Sequence, residues 1–172
     1  MPAKPCERGN KISVKKLCLW GIFTALCICF GFLESLLPFD FIAPGVKIGL
    51  SNSVALLLVC FGDTKGAFAV NIVRILLCAL LFGNPFSLLF SLPAGIISLL
   101  CTFLLYKTDK FSLVGISLIS ATVHNTVQLA VAVLTVGTAV LFYLPVLLLC
   151  GTLSGAFLGF ICTLILKKIK KL

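Results

Sequence analysis

Six long apolar runs divide the stretch from Leu17 to Leu166, and their lengths limit what the chain can become. A helix needs about 20 apolar residues to cross roughly 30 Å of hydrocarbon, where each backbone amide must find its partner within the segment. The runs are Leu17 to Leu37, Ile48 to Gly62, Gly66 to Phe82, Phe86 to Tyr106, Phe111 to Val136 and Val140 to Leu166. Pro145 offers a later start for the last of these. Gly83-Asn84-Pro85 reads as a turn between the third and fourth. Apolar residues make up 60% of the chain and charged residues 11%, against about 45–50% and about 25% in soluble domains. A soluble fold of this size could neither bury that much apolar surface nor wet itself with so few charges. The balance excludes a soluble enzyme, a disordered tail and a nucleic-acid module, despite a net charge of +9.

The second run has 15 residues, which as a helix reach only about 22 Å. That length leaves a re-entrant segment open. Charge placement favours a full crossing. With six spans and an inner N-terminus, twelve of the fourteen basic residues fall on the inner side, leaving Lys47 outside and Arg74 within a span. An odd number of crossings would put one basic terminal cluster outside, against the positive-inside bias. The expected fold is an all-α integral membrane protein of six transmembrane helices with both termini cytoplasmic. A basic tail, 1–16, precedes the transmembrane domain, 17–166, and a second basic tail, 167–172, follows it. Five further hydrophobic segments, with no small-residue cleavage site, mark the first run as a retained helix rather than a signal peptide.

Polar residues inside such runs carry the information, because an ionisable group at mid-bilayer costs roughly 2.5–3.5 kcal/mol. Arg74 lies near the middle of the third run, with Asn71 three residues earlier on the same helix face. A guanidinium suits a carboxylate or phosphate bidentately, so Arg74 reads either as an anchor for an anionic ligand or as the partner of Glu34. His124, Asn125 and Gln128 can share one face of the fifth run and offer several donors and acceptors. They read as ligand contacts or as interhelical hydrogen bonds. The outer loop from Pro38 to Asn52 is flanked by Glu34 and carries Lys47 and Asn52. Lys47 either attracts an anion or snorkels at the interface.

Several chemistries are absent. No Gly-rich phosphate loop with Lys-Ser/Thr, HExxH or GxSxG occurs in the chain. No acidic pair close in sequence could hold Mg²⁺ on a diphosphate. The nine cysteines are odd in number and form no CxxC. Seven of them lie inside the apolar runs and read as small buried hydrophobes rather than as a disulfide or metal framework. The reading is of a non-enzyme without cofactor or metal. Small residues at four-residue spacing, Gly21 and Ala25 in the first run and Gly151, Gly155 and Gly159 in the sixth, allow close helix approach.

The stretch Pro44-Gly45-Val46-Lys47-Ile48-Gly49-Leu50-Ser51-Asn52 resembles the P-G-x-K-x-G-L-x-N segment of the Gx transporter family, also known as heptaprenyl diphosphate synthase component I. The likeness continues through Val73-Arg74-Ile75-Leu76-Leu77, Leu81-Phe82-Gly83, Phe86 to Leu92, Val123 to Gln128 and Tyr143-Leu144-Pro145. Pro93-Ala94-Gly95 departs from the usual Ala/Gly-rich run. The resemblance implies a multi-pass protein of the bacterial inner membrane, similar to the substrate-binding S components of energy-coupling-factor transporters. Such a component captures a small polar or anionic metabolite from outside and works with a transmembrane coupling subunit and two ATPases. Gly21 and Ala25 match the docking pattern of its first helix. Arg74, Asn71, His124, Asn125, Gln128, Glu34, Lys47 and Asn52 then form the candidate substrate-binding set. The second family name implies an alternative, a non-catalytic membrane subunit partnering a prenyl diphosphate synthase in isoprenoid synthesis.

Overall fold

The computed structural model describes residues 13–36, 50–82 and 87–169. Among them the chain forms six α-helices and no strand: α1 (Val14–Leu36), α2 (Leu50–Cys60), α3 (Thr64–Leu81), α4 (Ser87–Lys107), α5 (Leu113–Val136) and α6 (Leu144–Ile169). Five of these, all but α2, belong to stretches long and apolar enough to cross a membrane. Large apolar side chains such as Ile22, Leu80, Leu134 and Phe157 point outward, as lipid as the surrounding solvent requires.

Local chemistry sets the boundaries. The Asp63 side chain accepts from the Gly66 amide and caps α3, and Ser112 does the same for Gly115 at the start of α5. Gly137, at φ +110°, ends α5. The sixth run splits in two: a 3-10 turn spans Thr138–Tyr143, and α6 begins at Leu144 with Pro145 in its first turn. Proline is tolerated there because its missing N–H has no intrahelical partner to lose.

The second run supplies the innermost helix. Among the described residues its helix has 11 residues, about 16 Å of rise. Val54 through Val59 are all buried, and α2 touches each of the other five helices. Apolar all round, it is a central helix rather than a lipid-facing one. The long helices follow one another around it in the order α1, α3, α4, α5, α6, each touching the next.

Helix directions follow from the contacts. Trp20 lies against Asp63 and Gly66, Gly31 against Cys78, and Phe32 against Phe82, so α1 and α3 run parallel. The chain between them therefore returns to the Trp20 end, with α2 as the last part of that return. Tyr106 Oη donates to the Cys60 carbonyl at 3.4 Å, which ties the last turn of α4 to the last turn of α2. On α6, a Cβ at Gly155 would come 2.9 Å from Leu118 Cα, and one at Gly159 would come 2.7 Å from Val114 Cα. The absent side chains let α5 and α6 meet backbone to backbone. One end of the bundle thus gathers Lys15, Lys16, Lys65, Lys107, Lys110, Lys167 and Lys168, all exposed.

Candidate functional site

Arg74 lies ten residues into α3, about 15 Å from its start. Its side chain is 7% exposed and faces the bundle interior. Arg74 Nη2 donates to Asn71 Oδ1 at 2.8 Å, and Asn71 Nδ2 donates to the Gly95 carbonyl on α4 at 3.0 Å. This orientation of the amide is forced. A guanidinium can only donate and a carbonyl can only accept, so Oδ1 must face the arginine.

A second arm reaches the same carbonyl. Ser98 Oγ lies 3.2 Å from the Gly95 oxygen and 3.4 Å from His124 Nδ1 on α5. A hydroxyl has one proton to give. Ser98 therefore serves one of Gly95 O and His124 Nδ1 as donor, and the tautomer of His124 sets which. Two side-chain arms, one from Arg74 through Asn71 and one from His124 through Ser98, therefore meet at one backbone oxygen and join α3, α4 and α5 at mid-depth. Thr102 Oγ1 lies 2.7 Å from Ser120 Oγ and 2.9 Å from the Ser98 carbonyl, which packs α4 on α5 one turn below.

Gly95 makes the junction possible. A Cβ there would fall 2.5 Å from Ile75 Cδ1 and 3.2 Å from Asn71 Nδ2, so a larger residue would push aside the Asn71 amide that bridges α3 to α4. On α1, Cys27 is buried and within electrostatic reach of Arg74. The parallel register sets Cys27 level with Arg74 and the Glu34 backbone seven residues beyond, about 10 Å further along.

The expected residues divide as follows. Arg74, Asn71 and His124 join one network. Asn125 turns away: its Nδ2 donates to the Leu147 carbonyl on α6 at 2.9 Å. Gln128 is half-buried one turn beyond His124, and the network's hydrogen bonds do not extend to it among the described residues. Lys47 and the Gly83-Asn84-Pro85 turn lie outside the described residues, as do the side chains of Glu34 and Asn52. Gly21 and Ala25 sit on the outward side of α1, both exposed, and Gly21 has nothing within 4 Å of an added Cβ. Gly95 and Ser98 were missed. Their only signal is the small or hydroxyl residue at positions 95, 98 and 102 along one face of α4.

A family model for heptaprenyl diphosphate synthase component I matches residues 23–165. The chain belongs to that family. No curated protein and no solved structure matches it. For this component I chain the match runs from within α1 to within α6 and takes in every residue of the network.

Proposed function

We propose that the chain is a non-catalytic component of a bacterial inner membrane that holds a small anionic metabolite between α3, α4 and α5 and serves a prenyl diphosphate synthase partner. The buried Arg74 carries this reading. A guanidinium remains charged, and keeping it at mid-depth costs a few kcal/mol that a packing residue would not. Its forked donors suit a phosphate or carboxylate, and Asn71 holds the fork in place from the same helix. The family description supports the synthase as partner. Six crossings with both basic tails on the inner side agree with the parallel run of α1 and α3.

A second reading is an uptake component that captures the same class of anion from outside and takes ATP energy from a coupling subunit and ATPases. The outward row of Gly21 and Ala25 on α1 favours it, since small residues let a partner helix approach closely. Gentle purification from native membranes, with mass spectrometry of proteins and bound small molecules, separates the two. A synthase subunit with a retained anion is the expected result. ATPases with a coupling subunit would replace it by the uptake reading. A chain without any bound anion would remove both.

A further inference from the structure

Among the described residues α1 touches only α2 and α3, and it is the least buried of the long helices: 6% of its most apolar stretch is buried, against 39% for α3. In a bilayer, apolar contact alone holds such a helix weakly, because lipid tails offer the same contact; hydrogen bonds and close approach over small residues decide. α1 has both at its basic end. Trp20 Nε1 donates to Asp63 Oδ2 at 2.7 Å, and the indole lies on Gly66, where any Cβ would collide with it. Asp63 spends its other oxygen capping α3 at Gly66. Seven residues along α1 from Trp20, Cys27 closes the bundle beside Arg74 and is 1% exposed. Elsewhere the ring is fastened more heavily: Asn71 binds α3 to α4, Thr102 and Ser120 bind α4 to α5, and the glycine row binds α5 to α6.

We infer that α1 is the gate of the Arg74 site, clasped at its basic end by the hydrogen bond between Trp20 and Asp63. The inference rests on Arg74 as the ligand anchor. In the closed state α1 covers the guanidinium. Swinging α1 away from α3 opens a side passage at the level of Cys27, with the cap on α3 left in place.

Opening exposes Cys27, so its rate of modification reads the gate without any ligand. The full chain in membranes is treated with N-ethylmaleimide, and peptide mass spectrometry follows Cys27. Trp20→Phe removes the donor while keeping a large ring and should raise the rate about threefold, the shift worth one interhelical hydrogen bond of usual strength. A lock tests the same motion in reverse. A Cβ at Gly31 would lie 4.0 Å from Cys78 Cβ, within the span of a disulfide. Oxidised Gly31→Cys should slow modification of Cys27, and dithiothreitol should restore it. Inorganic diphosphate should slow modification in the parent chain and not in Arg74→Gln. Rates unmoved by both Trp20→Phe and the lock overturn the gate. Rates that answer to clasp and lock but not to diphosphate keep the gate and remove the anion reading.

Discussion

Arg74 Nη2 and Asn71 Oδ1 are 2.8 Å apart, one turn from each other on the buried face of α3. The bond fixes the guanidinium while Asn71 is itself fixed by the Gly95 carbonyl. A cation held this way meets an anion with little ordering left to do.

Arg74→Gln keeps a polar side chain that can still donate to Asn71, but it removes the charge. We expect retained folding and a loss of anion affinity of about 10- to 100-fold, the range for a charge-assisted hydrogen bond. Isothermal titration of the purified chain with the anion it retains, beside a thermal melt, checks this. Equal loss of folding and binding would make Arg74 structural.

His124 and Asn125 are neighbours in sequence with different tasks. Asn125→Ala removes the bond to the Leu147 carbonyl and should destabilise the protein by about 0.6–1.7 kcal/mol with anion binding intact. His124→Ala removes the end of the second arm and should weaken binding more than stability. Denaturation in mild detergent and binding measured on both variants would show this opposite pattern.

Gly159 and Gly21 are both glycines of a small-residue row, yet only one is spent inside the bundle. Gly159→Ala drives a methyl against Val114 Cα. Backbone cannot yield as a side-chain tip can, so a loss of about 1–3 kcal/mol is expected. Gly21→Ala meets open space and should leave the melting temperature unchanged. If Gly21→Ala instead abolishes recovery of a partner protein, the outward face of α1 is where that partner docks.

Arg74 and Asn71 were legible in the sequence because a cation within an apolar run is rare, and three-residue spacing on a helix puts the pair on one face. The five long helices were legible for the same reason of length and composition. Gly95 and Ser98 were not, since the Gly95 carbonyl acts through its backbone and hydroxyls in such helices commonly bond to their own preceding turn. Asn125 was placed with His124 because adjacent positions and Gln128 can fall within one broad face. Successive residues nevertheless differ by about 100°, and that difference sends Asn125 to α6 and His124 to α4. The second run already read as short for a crossing, but its place at the centre of the ring was hidden, because an apolar run does not say which neighbours cover it.

Asp63 ties the clasp to pH. The Trp20 indole N–H holds its carboxyl below the usual carboxylate range, helped by the Gly66 amide and the charge of Lys16 and opposed in part by burial. A carboxyl with a lowered native pKa binds its proton less readily folded than unfolded. Its contribution is therefore fully present above the ordinary value of about 3.9 and is lost as pH falls through the lowered native value. Trp20 is the sole tryptophan, so tryptophan emission reports from the donor of this bond. Emission should stay constant as pH falls through the ordinary carboxylate range and change only below it. Asp63→Asn, with a single oxygen left for two donors, should show an altered emission at neutral pH and no acid transition. A transition in the parent chain at or above the ordinary range would mean that Trp20 does not hold Asp63 in the membrane, and α1 would then lack its clasp.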